Sequence, residues 1–295
     1  MKCVASDEPG SGVSFVRGVE HLEAPPAEYL DQRSVSNVYS HLDGFRALGA
    51  GEVPEGVVWG VEYGTYVVNS PVYCAHLLRK FLLRGGEVKK SELVNLMEGF
   101  SLAKGVRTVV NCSGVGIGDP KAFIIRGMFC AWFTEEWKRF SYIQLVLTFF
   151  LLGQTCLVRN AVSETITRQN TDGSWSFCIP RPLDGGTIIG GTKEPHNWDP
   201  NPSVEARERL LANATKWFPF TPASGGKFDV IRDIVGRRPA REGGMRIEVE
   251  KIANDRYLVH GYGAGGRGFE LSRGVAEDIA ELMLDNGLLR PKASL

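Results

Sequence analysis

Three stretches of this chain place residues that do chemistry where a ligand could meet them. Residues 236–246, Gly-Arg-Arg-Pro-Ala-Arg-Glu-Gly-Gly-Met-Arg, set several guanidiniums on a turn shaped by Pro239, Gly243 and Gly244. A guanidinium held rigidly there can grip a carboxylate through paired N–H···O bonds; solvated surface arginines are the competing reading. Residues 260–271 put five glycines into the eight positions 261–268, more than a plain turn needs. Backbone N–H groups in such a run, at the positive end of a following helix, can stabilise an anion or an electron-rich ring edge. Residues 109–116, Val-Val-Asn-Cys-Ser-Gly-Val-Gly, run from an apolar strand into small residues that admit a ligand close to the backbone. An ordinary glycine turn after a strand reads the same way.

The elements that must position these residues mix helices with strands. Ser70-Pro71 opens a helix whose apolar residues recur at Tyr73, Cys74, Leu77, Leu78, Phe81 and Leu82, with Ser70 as cap and Gly85-Gly86 as the stop. A strand is expected near Val88 and another over 106–111, a helix–strand–glycine order that suits one half of a doubly wound sheet. Residues 177–180 and 187–189 flank a Pro/Gly/Asp turn and predict a hairpin. Asn201-Pro202 predicts a helix over 203–215, residues 246–250 and 257–260 predict paired strands, and a last helix is expected over 272–284.

Composition narrows the classes. The chain has 295 residues, enough for one large or two medium domains, and its 34 Lys and Arg balance 34 Asp and Glu. No basic field exists to hold a phosphate backbone, so nucleic-acid binding is not expected. Glycine and proline, 35 and 15 residues, stay below low-complexity levels and exclude disorder and collagen. The six cysteines form no C-x-x-C pair and no metal-ligand spacing, so neither zinc nor any other metal is expected. No secretory signal is legible at the start, which points to a reducing compartment. The closing Lys-Ala-Ser-Leu is a faint peroxisomal address, leaving peroxisome or cytoplasm as the expectation.

Residues 128–153 differ from their surroundings: Phe129, Trp132, Phe133, Trp137, Phe140, Tyr142, Phe149 and Phe150 crowd together. The apolar end, 143–152, is about half the length that spans a bilayer, so a membrane segment is not expected. A buried helix or edge hairpin is one reading. The other comes from the genetic code: Gly127-Met128-Phe129 can be encoded with an intron start, and Leu152-Gly153 with an intron end. On that reading the stretch is translated intron, and Arg126, one glycine and Gln154 are natural neighbours.

Taken together and in order, residues 109–114, Arg126-Gly127 with Gln154, the hairpin 179–182 with Gly190-Gly191-Thr192, the turn 236–246 and the run 260–268 resemble the D-amino-acid oxidase family, which includes D-aspartate oxidase, and especially its fungal members. The resemblance covers most of the chain from about residue 57. It implies an α/β (mixed α+β) fold: a Rossmann-like FAD-binding domain, here incomplete, and a substrate domain with a large mixed β-sheet. Residues 1–70 would be substrate-domain, 71–127 FAD-domain, 128–153 the insert, 154–243 substrate-domain and 244–295 the FAD-domain C-terminal segment.

The family chemistry so implied is oxidative deamination of a D-amino acid. A hydride passes from Cα to flavin N5, the imino acid hydrolyses to a 2-oxo acid and ammonia, and dioxygen reoxidises the flavin to give hydrogen peroxide. Arg241 matches the arginine that grips the substrate carboxylate, and Gly266 the carbonyl that receives its amino group. Phe177 falls where the family has a substrate-contacting tyrosine, so that hydroxyl is missing; Lys193 falls at an aromatic lid position. FAD contacts are expected at Leu93, Ser113, Gly114, Gly265, Gly266, Arg267, Gly268, Phe269 and Glu270. No side chain is needed as acid or base, and a homodimer is among the assemblies the resemblance allows.

Two further departures stand out. Arg273 sits where many relatives carry tryptophan. No strand followed by a G-x-G-x-x-G turn precedes the first matching piece, and Gly10-Ser11-Gly12 lies in a polar stretch. The chain as written is therefore expected to bind FAD weakly or not at all, with a non-catalytic amino-acid-binding protein or an inactive fragment as the competing readings.

Overall fold

The computed structural model describes residues 8–25, 27–30, 42–126, 153–192, 194–195, 199–218, 227–236, 238–253 and 255–289. The strands in chain order are β1 (Val13–Leu22), β2 (Arg46–Ala47), β3 (Trp59–Val68), β4 (Thr108–Asn111), β5 (Ala122–Arg126), β6 (Gln154–Val158) and β7 (Glu164–Gln169). They continue with β8 (Trp175–Pro180), β9 (Thr187–Gly190), β10 (Glu194–Pro195), β11 (Val230–Val235), β12 (Arg238–Arg241), β13 (Arg246–Ala253) and β14 (Arg256–Tyr262). The three long helices are α1 (Ser70–Leu83), α2 (Val204–Trp217) and α3 (Gly268–Asp285).

The chain divides into two compact units, Met1–Arg84 with Arg126–Gly236, and Gly85–Ile125 with Arg237–Leu295. The first is built on an eight-stranded sheet in the order β11-β6-β9-β8-β7-β1-β3-β2. It is mixed: β1 runs antiparallel to β3 and parallel to β7. Register explains its core. Val19, Ile166, Cys178, Ile189 and Cys156 lie opposite one another across five strands, and because strand side chains alternate, all five share a face. Leu210, Ala214 and Phe218 cover that row. The adjacent row, Val61, Glu20, Thr167, Phe177 and Gly190, points to the other face.

Helix α2 lies where Asn201-Pro202 predicts it, although the cap residue is Ser203. Ala206, Leu210 and Ala214 recur at a spacing of one turn and are all buried. Ser203 is the cap, its Oγ accepting from Ala206 N at 3.1 Å. The fully buried Gln154 of β6 ties this start to the sheet, donating from Nε2 to Ser203 O at 2.6 Å and accepting at Oε1 from Ser203 N at 2.7 Å. Just before β6, Gly153 has no room for a side chain: a Cβ would lie 2.1 Å from Thr192 O. The predicted hairpin is present as the antiparallel pair β8–β9.

Helix α1 departs from expectation in two ways. Asn69, not Ser70, is the cap residue, and its side chain makes no capping bond. Instead Asn69 accepts from Arg181 Nη2 at 2.6 Å and donates to Pro182 O at 2.9 Å, holding the β8–β9 turn. Of its apolar stripe only Tyr73 is buried, packed with Val13, while Leu77, Leu78, Phe81 and Leu82 are exposed. The helix thus lies in the first unit, whereas the sequence-based segmentation starts an FAD-domain segment at 71. The second segment boundary, placed at 243/244, also differs: the units divide between Gly236 and Arg237. Residues 128–152 of the suspected insert lie outside the described residues.

The second unit has a three-stranded sheet in the order β13-β14-β4, with β14 antiparallel to β13 and parallel to β4. Helix α3 begins four positions earlier than expected and docks close to β14, because Gly261 has no side chain; a Cβ there would stand 2.3 Å from Ile279 Cδ1. A second, antiparallel pair joins β5 to β12. The strand expected near Val88 is absent from the described backbone: Val88 is exposed and has no face to bury.

Candidate active site

The second unit brings the three chemistry-bearing stretches together. Where β4 ends, Asn111 Oδ1 accepts from Ser113 N at 3.2 Å, and Ser113 Oγ accepts from Gly116 N at 3.1 Å. These two local bonds curl 111–116 into a compact turn. Gly114, at φ +82°, then accepts a backbone bond from Gly263 N at 2.9 Å, and Pro239 of β12 packs within 3.1 Å of where a Gly114 Cβ would stand. Ala240 bridges to Ala264, and a Cβ on Gly263 would sit 2.7 Å from Arg241 Cβ. Glycine at 263, with φ +82°, is what lets the arginine strand lie against the glycine run.

Arg241 is not a solvated surface arginine. Its side chain is 18% exposed, and its Nε donates to Asp119 Oδ2 at 2.7 Å. Asp119 is fully committed: Oδ2 also accepts from the Tyr262 hydroxyl at 2.7 Å, and Oδ1 accepts from Lys121 N at 2.9 Å. The Arg241 guanidinium, then Tyr262 and the Lys121 amide, hold the Asp119 carboxyl far below the usual carboxylate range. Arg241 in turn is raised by the same pairing. Behind Tyr262 the polar chain continues. Arg246 Nη1 donates to the Tyr262 oxygen at 3.2 Å, Arg246 pairs with Glu248 and Glu250, and Glu250 Oε2 lies 3.2 Å from His260 Nε2. Asn111 Nδ2 lies 3.4 Å from His260 Nδ1, which assigns the imidazole proton to Nε2. Burial, then Arg246, lowers the His260 pKa, so the ring is neutral at pH 7.

Whether these residues suit FAD is answered by the glycine backbone. At Gly265, φ +60°, an added Cβ would meet nothing within 4 Å, so the chain there lies open to a flat or anionic group. The 3-10 turn Gly265–Arg267 leads directly into α3, whose first N–H groups have no partner inside the helix. Ser113 and Phe269 are exposed, and Gly114, Gly266, Gly268 and Glu270 are half-buried. An open backbone next to a helix start fits the electron-rich edge of a flavin. Leu93 belongs to the same unit, half-buried ahead of the turn Leu96–Ser101.

Phe177 belongs to the first unit and is 1% exposed. Its ring lies over β9, with Cζ 2.1 Å from where a Gly190 Cβ would stand, among Leu157 and Ile188. It serves as a core residue. Lys193 and the Arg267 side chain lie outside the described residues. A cavity of about 470 Å³ and another of about 520 Å³ occur in the first unit, and neither is lined by a site residue expected from the sequence. Among the described residues no group of three His, Cys, Asp or Glu is placed to hold a metal ion.

Sequence reasoning missed Asp119, Tyr262 and Glu20. Asp119-Pro120 closes a glycine-dense stretch, and Glu20 interrupts the apolar strand β1; each was a carboxylate in an odd place. Glu20 is fully buried, and burial, opposed by the Tyr63 hydroxyl, pushes its pKa up to about 8.

The profile of the family described as FAD dependent oxidoreductase matches residues 17–282. The chain belongs to that family. The resemblance drawn from the glycine run and the arginine turn is therefore borne out, and so is a mixed α/β fold with a large mixed sheet. Among relatives of this family member, the D-aspartate oxidase of Talaromyces thermophilus is 43% identical over 287 residues, covering 96% of this chain and 70% of that one. The D-amino-acid oxidase of Schizosaccharomyces pombe is 28% identical over 293 residues, covering 95% and 75%. Among solved structures, iminodiacetate oxidase from Chelativorans sp. BNC1 superposes with a TM-score of 0.65 at 15% identity over 96% of this chain and 75% of its own. Glycine oxidase from Geobacillus kaustophilus gives a TM-score of 0.62 at 16% identity, over 96% and 76%. These two oxidases share the fold described above.

Proposed function

We propose that this oxidoreductase deaminates D-amino acids to 2-oxo acids and ammonia, with hydrogen peroxide formed from dioxygen. The observation that carries this reading is the Arg241 guanidinium, pinned by Asp119 beside the glycine run that opens α3. On this reading the second unit is the flavin side. Ser113, Gly114, Gly265–Arg267, Gly268, Phe269, Glu270 and Leu93 hold FAD, which when bound takes up the hydride leaving Cα and passes two electrons to dioxygen. Arg241 receives the substrate carboxylate, and the Gly266 carbonyl accepts from the substrate amino group. The chain's residues orient and bind, and none acts as a general base.

The test is the full chain titrated with FAD, read first by flavin absorbance and then by peroxide release from D- and L-aspartate and D- and L-alanine. Peroxide from the D-enantiomers alone, in proportion to FAD occupancy, is expected. Arg241→Leu should raise KM by about a hundredfold or more, the scale of losing a charge-assisted bidentate contact. No peroxide at saturating FAD, equal rates with L-enantiomers, or an unchanged KM in R241L would overturn the proposal.

A further inference from the structure

In the first unit a cavity of about 520 Å³ opens beside the β8–β9 turn, a volume that suits a small organic ligand. Its walls are largely apolar, with Val16, Val67, Val162 and Pro182 among them, and two guanidiniums stand in the lining. Arg159 is exposed and pairs with Asp229 at 2.9 Å. Arg181 is half-buried, and its partner sets it apart. Arg168 and Arg207 of the same unit, also partly or fully buried, each hold a carboxylate, Glu23 and Asp233. Arg181 instead donates from Nη2 to the neutral amide oxygen of the buried Asn69 at 2.6 Å, and among the described residues no carboxylate pairs with it. Burial, then the charge of Arg232 on β11, draws its pKa down. The surroundings are built around that amide. Asn69 also donates from Nδ2 to Pro182 O at 2.9 Å, and Gly185 makes room for it, since a Cβ there would lie 2.5 Å from Asn69 Nδ2 and 2.7 Å from Arg181 Cβ. Leu183, at φ +59° in the same turn, lines the cavity and is exposed.

We propose that this cavity binds a monocarboxylate with an apolar body, its carboxylate on Arg181 and its hydrocarbon against the valine and proline walls. A neutral amide positions the guanidinium without neutralising it, so the full charge is left for a ligand, which a structural ion pair does not allow. The count of charges selects a monoanion. Arg159 is already paired, and Asp184 brings a carboxylate of its own to the lining, so a phosphate dianion would meet one available cation and one repelling group. The walls select the rest of the ligand. A small hydrophilic anion leaves Val16, Val67, Val162 and Leu183 facing water, whereas an alkyl or aryl group covers them. The site is independent of the reading of Arg241 given above, because every residue in it belongs to the first unit.

The deciding experiment is calorimetric titration of the full chain with 4-phenylbutanoate, 4-phenylbutanamide and inorganic phosphate, repeated in Arg181→Gln and Ala161→Trp. The parent chain should bind the acid with a Kd of about 1 mM or below, and the amide and phosphate about tenfold more weakly or worse. R181Q keeps a hydrogen-bonding side chain for Asn69 but loses the charge, so it should weaken the acid about tenfold or more and leave the amide unchanged. Ala161 is an exposed lining residue on the β6–β7 connection, outside any strand. The indole of A161W should fill part of the cavity and weaken acid and amide alike. Should R181Q fail to fold, A161W still reports whether the probe enters this cavity, and the acid-to-amide ratio in the parent still reports the charge. No binding of the acid by the parent, an amide or phosphate bound as tightly as the acid, or parental affinity for the acid in either variant would overturn the proposal.

Discussion

In the first unit Val19, Ile166, Cys178, Ile189 and Cys156 run as one apolar row under α2, while in the second unit His260, Glu250, Arg246, Tyr262, Asp119 and Arg241 run as a chain of polar contacts. The first arrangement is non-directional: each fully buried Leu- or Ile-sized side chain contributes roughly 1.5–3 kcal/mol, and many shapes would serve. The second is directional, and it depends on glycines at 116 and 263 that let Tyr262 and Arg241 come close. Even charge is handled differently. In the first unit Arg168 and Glu23 form a buried pair, with Arg168 also stacked 3.7 Å over Trp217, and Glu20 is fully buried with its pKa pushed up by that burial. In the second unit the Arg241–Asp119 pair and the Arg246–Glu250–His260 contacts are joined through Tyr262. The large sheet therefore has a buried ion pair that is costly to break, and the small one has a network that is costly to misalign.

Breaking the buried pair should give the largest effect. Glu23 takes Arg168 Nε at 2.8 Å and Thr171 N at 2.7 Å; Glu23→Ala leaves a guanidinium 1% exposed with no carboxylate, and should cost about 3–5 kcal/mol in urea unfolding. A loss below about 1 kcal/mol would show that water reaches Arg168. Next comes the network. Gly116→Ala, forced into a positive φ and against the Tyr262 ring, should cost about 1–3 kcal/mol and raise KM as well. A stable G116A with unchanged KM would separate the turn from Arg241.

The third effect sharpens the contrast by pH. Glu20 has a folded pKa of about 8 against an ordinary 4.5, so the native chain binds the proton more tightly than the unfolded one. Its contribution is complete below pH 4.5 and is lost as pH rises toward 8, at up to roughly 1.4 kcal/mol per pH unit within that window. Glu20→Gln should therefore flatten the fall in urea midpoint between pH 5 and pH 8. Parallel profiles for parent and variant would mean that the carboxyl is solvated.

Much of this architecture is legible in the chain itself. The hairpin β8–β9 follows from its turn residues, α2 from Ala206, Leu210 and Ala214 at one-turn spacing, and β13–β14 from alternation. The helical pattern of α1 is equally clear, yet its stripe predicts burial that only Tyr73 achieves, because periodicity states which residues share a face and not what lies opposite. Asn69 was hidden for a related reason: a side chain that suits a cap was claimed by Arg181, over a hundred positions away. At the site, Arg241 and the glycine run could be named from type and spacing, but Asp119 could not.

What the amino-acid order determined alone is what acts over a few residues: helix caps, turn glycines, strand alternation, and a family likeness carried by the arginine turn and the glycine run. Tertiary structure alone decided that Asp119, 122 positions from Arg241 and 143 from Tyr262, is their shared partner. It also decided that Phe177 packs as core and that Glu20 is buried deeply enough to hold its proton. Hydrogen bonding and desolvation depend on distance through space, and the chain acquires those distances only when its two units close around their own cores.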